Sequence, residues 1–177
     1  MERLAWYGPT DRYNPAPGGG MCISVFAVVK KGDSYLIGKP ARTERWFSEW
    51  IPAWNSYAQE DLDDVFEQWR LPSGYLREGE HPDDCLGRVM REQVGVKRFE
   101  VSSTRVFSYA TPSDWYPGNA HWDLVFAYDV ASDQKLRKLP WWKELRFARR
   151  SALQHARFGW NEDFMVDLGI LDRRSDA

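Results

Sequence analysis

The chain has 177 residues, of which 43% are hydrophobic and 28% charged, with a formal net charge of −2. That size suits one domain with an ordinary core, and the near balance of acids and bases argues against the basic face of a nucleic-acid scaffold. No apolar run approaches the roughly 18–20 residues that span a bilayer, and the opening Met1-Glu2-Arg3 lacks the pattern of a signal peptide, so a cytoplasmic protein is expected.

Residues 1–20 close in Pro15-Ala16-Pro17-Gly18-Gly19-Gly20 and read as an arm or loop, leaving 21–177 as the domain. Ile23 to Val29 (ISVFAVV) predicts a buried strand, and turn chemistry at Lys30 to Asp33 joins it to a second strand from Ser34 to Gly38 as a hairpin. Across 39–69, Trp46, Trp50 and Trp54 recur every four residues like one helical face, but Pro52 interrupts it. This Trp-rich stretch reads as an insertion serving as a lid, a dimer contact or extra core. On the dimer reading, Trp50→Ala lowers the mass measured by light scattering.

Glu60 to Gln68 predicts a short helix with acids in its first turn and Leu62, Val65 and Phe66 on one side. Pro82 to Val94 predicts another: Pro82 suits the first turn, Asp83 and Asp84 the positive end, and Gly95 the stop. Strands follow at Phe99 to Tyr109 and His121 to Val130, with the loop Thr111 to Asn119 between them. In that loop, Trp115 and Tyr116 are candidates to stack on a base or sugar. A short strand at Trp142 to Ala148, a helix at Ser151 to Ala156, and a last helix capped by Asn161 and reaching Leu168 complete the chain. Cys22 and Cys85 cannot supply a four-thiolate zinc site and read as reduced, buried side chains. His81, His121 and His155 lack ligand spacing, and Arg146, Arg149 and Arg150 read as a solvated face.

The informative segment runs from Gly74 to Val96, GYLREGEHPDDCLGRVMREQVGV. Five residues separate Gly74 from Glu80, seven separate Glu80 from Arg88, and Met90, Glu92, Gly95 and Val96 follow at set intervals. This spacing resembles the Nudix box, in which Arg is followed by Glu-U-x-Glu-Glu-x-Gly-U with U bulky and aliphatic. The upstream Trp69-x-Leu71-Pro72-x-Gly74 is similar to the lead-in common in that family. Two positions depart: Val89 stands where a glutamate follows the arginine, and Gln93 stands for the second paired glutamate.

The resemblance implies a single α/β domain, a Nudix-like α/β/α sandwich with a mixed sheet. It also implies a hydrolase of a nucleoside diphosphate linked to another moiety, dependent on Mg²⁺ or Mn²⁺, with a nucleotide-type small molecule as partner and a possible homodimer. By that resemblance the catalytic candidates are Glu92, Arg88 and Glu80, the metal candidates Glu92, Gln93 and Gly74, and the substrate candidates Trp115, Tyr116 and Arg70. Hard cations prefer carboxylate oxygens, and helical positions i, i+3 and i+4 share a face. Here those positions are Val89, Glu92 and Gln93, of which only Glu92 is anionic.

Three readings follow. The first is a hydrolase with its base elsewhere, at Asp114, Asp123, Glu144 or His121; the GDP-mannose hydrolases of the family also lack the glutamate after the arginine. The second is a catalytically silent Nudix-fold module that binds a nucleotide or a protein partner. The third is a different chemistry on the same scaffold. Val89 favours the silent module, and the retained Gly74, Glu80, Arg88, Glu92 and Gly95 favour the enzyme.

Overall fold

The computed structural model describes residues 5–6, 21–46, 59–112, 120–160 and 162–173. Trp50, Trp54, Asp114, Trp115, Tyr116 and Asn161 lie outside the described residues, as does most of the arm. Seven strands form one connected mixed sheet. β5 (Glu100–Pro112), β6 (Ala120–Ala131), β2 (Met21–Lys31), β3 (Ser34–Pro40) and β7 (Trp142–Arg149) follow one another across it, while β1 (Ala5–Trp6) and β4 (Ser73–Tyr75) also pair with β2.

β2 organises the domain. It runs parallel to β6 from Met21–Trp122 to Val29–Val130 and antiparallel to β4 over Ser24 to Phe26. Both of its faces are covered, which is why it reads as an unbroken apolar run and not as an alternating strand. The two-residue period of the strand sends its side chains into two cores. Phe26 and Val28 join Trp46, Leu71, Trp142 and Phe164 on one face. Val25, Ala27 and Val29 join Leu86, Val89 and Met90 on the other.

The expected hairpin is present, with a tighter turn. Gly32 takes a positive φ of 57°, and the β2–β3 ladder holds only at Lys30–Tyr35 and Lys31–Ser34. Beyond these two pairs β3 leaves β2 and pairs with β7 from Ser34–Arg149 to Pro40–Trp142. Gly38 lies at a close approach in this second ladder. A Cβ there would sit 2.4 Å from Cε3 of Trp142, a ring only 2% exposed. Gly38→Ala is therefore expected to cost about 1–3 kcal/mol by overpacking; an unchanged urea midpoint would show that the indole can yield.

The helices are α1 (Gln59–Glu67), α2 (Pro82–Val89), α3 (Arg150–Leu153) and α4 (Glu162–Asp167). α3 is shorter than the sequence suggests, ending at Leu153, and the Gln154 side chain donates to the Arg150 carbonyl at 2.9 Å. α4 buries Phe164 and Met165, and Gly169 ends the chain segment after it with a φ of 73°. The strand β4 was not visible in the sequence: three residues between a proline and a glycine-bearing loop carry no periodicity.

Of the three roles expected for the Trp-rich stretch 39–69, Trp46 takes that of core. It is fully buried, its ring meets those of Trp141 and Trp142 edge-on at 5.4 and 5.3 Å, and its indole N–H donates to the Trp141 carbonyl. At this position the stretch is core.

Candidate functional site

The box begins in the loop that follows β4. Leu76 N–H donates to the Ile23 carbonyl at 3.0 Å, and Glu80 N–H to the Arg77 carbonyl at 2.9 Å, which folds the loop back on itself. His81 caps α2 in an extended conformation, its Nδ1 accepting from Asp83 N–H at 3.3 Å, and Pro82 fills the first turn where no N–H is required. Asp83 also accepts from the Tyr128 hydroxyl at 2.8 Å, which ties the helix start to β6.

Arg88 and Glu80 form the electrostatic centre of the box. Arg88 Nε donates to Glu80 Oε1 at 2.8 Å and Nη2 to Oε2 at 2.9 Å, and Nη2 also donates to the Tyr75 carbonyl at 2.8 Å. The side chains are only 7% and 11% exposed. Such a bidentate fork is the strong form of a charged hydrogen bond. Burial pushes the Glu80 carboxyl up, but the Arg88 hydrogen bonds, the Arg77 N–H and the arginine charges outweigh it and hold the group below its ordinary value of 4.5. The pairing of Glu80 with Arg88 occupies the arginine fork with protein acceptors.

After Val89 the helix changes pitch. Met90 to Val94 form a π turn, and Gly95, in the left-handed region at φ 75°, closes it by donating to the Met90 carbonyl. The regular helix expected up to Val94 is thus replaced by a wider last turn. Val89 is 1% exposed in the core beneath α2. Gln93 is 2% exposed and grips Ser73: its Oε1 accepts from Ser73 N–H at 3.1 Å, and its Nε2 donates to the Ser73 carbonyl at 2.6 Å. Trp142 Nε1 donates to the Gln93 main-chain carbonyl at 2.9 Å. The amide oxygen expected to offer a weak metal contact is engaged by backbone instead.

Glu92 differs from its neighbours. It is half-buried, and no hydrogen bond or ion pair reaches it among the described residues. Gly74 sits within β4 opposite Val25, in the interior. Arg70 is 4% exposed, its guanidinium lies over the Trp160 ring at 5.3 Å, and a Cβ on Gly159 would meet its Nη2 at 2.6 Å. Its position under this turn is that of a buried brace, not of an accessible ligand contact.

The candidate outside acids are dispersed among other partners. Asp123 Oδ1 accepts from the Cys22 thiol at 2.5 Å, and Glu144 pairs with Arg146 at 3.1 Å. His121 opens β6 opposite Thr111. Burial first, and then the Asp123 charge, push the Cys22 thiol well up, so it stays protonated and is no nucleophile. Neither cysteine is in a disulfide, and both are buried, as expected.

Among the described residues no three His, Cys, Asp or Glu side chains come together to hold a metal. A hard divalent cation needs several oxygen ligands of its own. Of the three helix positions where the family resemblance places glutamates, only Glu92 carries a carboxylate, so that donor set does not fit Mg²⁺ or Mn²⁺ in the expected manner.

No family model and no curated protein matches the sequence. Solved structures do match. A Nudix hydrolase from Nitrosomonas europaea superposes with a TM-score of 0.54 at 16% identity, over 84% of this chain and 86% of that one. The fold is that of the Nudix hydrolases. The Nudix domain of NrtR from Shewanella oneidensis, in complex with ADP-ribose, gives a TM-score of 0.54 at 12% identity over 85% and 86% of the two chains. A bifunctional NMN adenylyltransferase/ADP-ribose pyrophosphatase from Francisella tularensis gives 0.56 at 16% identity over 88% of this chain, which spans 41% of that protein. At these identities the likeness is one of fold. No helix among the described residues is long and apolar enough to cross a membrane.

Two features of the site had no signal in the sequence. The grip of Gln93 on Ser73 spans 20 residues, and the Trp142 bond to the Gln93 carbonyl spans 49. The left-handed Gly95, by contrast, was legible as a helix stop.

Proposed function

We propose that this chain is a binding module for a nucleotide-type small molecule, a nucleoside diphosphate joined to a second moiety, built on the Nudix scaffold with a box that has become structural. The observation that carries this reading is the division of the box. Each retained residue apart from Glu92 has a folding role: Glu80 and Arg88 fasten the loop, Met90 and Val96 fill the core, and Gly95 closes the helix. The two lost glutamates are those a metal would use, and their replacements are occupied elsewhere, Val89 in the core and Gln93 on Ser73. The ligand class rests on likeness of fold to a domain that holds ADP-ribose.

One observation favours a second reading, a hydrolase of the same substrate class: Glu92 is half-buried beside the box with its carboxylate available. Calorimetry with ADP-ribose and sugar-nucleotide panels, with Mg²⁺ present and phosphate or sugar release followed in parallel, separates the two. Binding without turnover is expected. Turnover that disappears in Glu92→Gln would establish the hydrolase instead, and failure to bind any panel member would remove the nucleotide class from both readings.

A further inference from the structure

The Gln93 side chain presents one donor and one acceptor to a backbone that offers their complements. Nε2 faces the Ser73 carbonyl at 2.6 Å and Oε1 faces the Ser73 N–H at 3.1 Å, with Gln93 2% and Ser73 0% exposed. A neutral amide matches this pair, and an ionised carboxylate does not. A carboxylate of the same shape would keep the bond from Ser73 N–H but set its second oxygen against the Ser73 carbonyl. Two buried acceptors facing each other, one of them charged, are costly unless something positive lies between them. Carboxylate and carbonyl oxygens are also the ligands a hard divalent cation selects.

We infer that the Gln93 amide takes the place of a bridging cation at this junction, so that β4 and the box helix are locked together without metal. The surroundings support a permanent clamp. Trp142 Nε1 holds the Gln93 carbonyl, Arg137 N–H donates to the Val94 carbonyl at 2.9 Å, and Val89, one turn earlier, is core and offers no ligand. β4 has only three residues, so the grip on Ser73 is a large part of what fixes its distance from the helix. The inference does not depend on the ligand class proposed above, and its test contains no nucleotide.

Thermal melting of the full chain is compared in chelator and in millimolar Mg²⁺ or Mn²⁺. The wild type is expected to melt at one temperature in both. Gln93→Glu is expected to melt roughly 2–12 °C lower in chelator and to recover when the cation is added, whereas Gln93→Leu falls in both conditions and does not recover. A wild-type midpoint that rises with cation overturns the inference, as does a Gln93→Glu protein equal to wild type in chelator or indifferent to cation. If Gln93→Glu does not fold, Mn²⁺ binding to the wild type, read by its electron spin resonance signal, decides: stoichiometric binding overturns the inference and its absence upholds it.

Discussion

Arg88→Ala is expected to destabilise the protein by about 3–5 kcal/mol, the cost of leaving one member of a buried ion pair alone. For a domain of this size that lowers the melting temperature by roughly 6–20 °C. The arginine is 6% exposed, and its acceptors include both oxygens of Glu80, the carbonyl of Tyr75 and Cys85 Sγ. Its removal strands a carboxylate and a backbone carbonyl at the point where β4 passes into α2. Lysine would keep the charge and lose the fork, so Arg88→Lys should fall between the wild type and Arg88→Ala.

The pH dependence follows from the depressed Glu80 carboxyl. A lowered folded-state pKa contributes stability that is fully present above the ordinary value of 4.5 and is lost as the pH falls through the lower, folded value. In Arg88→Ala the Arg77 N–H and charge still oppose the upward push of burial, but the Arg88 bonds and charge are gone, and the variant loses their contribution at neutral pH. Its deficit against wild type should therefore be largest near neutrality and narrow below the ordinary carboxylate range. Urea unfolding at neutral and acid pH measures both quantities. A neutral-pH loss below about 1 kcal/mol would place the pair among weak surface bridges and remove the structural account of the retained box residues.

Trp46→Ala should cost about 3–5 kcal/mol, the range for truncating a buried tryptophan. The ring is 0% exposed, touches Trp141 and Trp142 edge-on, and its N–H satisfies the Trp141 carbonyl. Truncation opens a cavity and leaves that carbonyl without its donor. Trp46→Phe keeps much of the apolar contact and should lose less, the difference reporting the hydrogen bond and the smaller ring. A lid or dimer contact at this position would behave differently: its loss would change ligand affinity or mass and leave the denaturation midpoint in place.

The two departures from the box carry different information. Val89 could be read as a lost ligand from the sequence, and its burial in the core agrees with that reading. Gln93 could not be read so directly, because an amide oxygen is a weak ligand when free and no ligand when a backbone N–H has claimed it. The difference lies in Ser73, twenty residues earlier, and in the turn that brings them together.

The sequence by itself determined the elements whose physics is local. Ile23 to Val29 is a strand because β-branched and aromatic residues fill it, and the first turn and stop of the box helix lie in Pro82 and Gly95. The spacing from Gly74 to Val96 pointed to the Nudix fold that the solved structures bear out. Only the tertiary structure decided what the box residues do. A period of four at Trp46 suits a lid and a core equally, and burial against Trp141 and Trp142 separates them. The reading of Val89, Glu92 and Gln93 assumed a regular helix; the last turn is a π turn, and the Gln93 amide meets Ser73. Hydrogen-bond partners far apart in sequence meet only once the sheet and both cores have formed, and the role of a polar side chain is set by the partner it meets there.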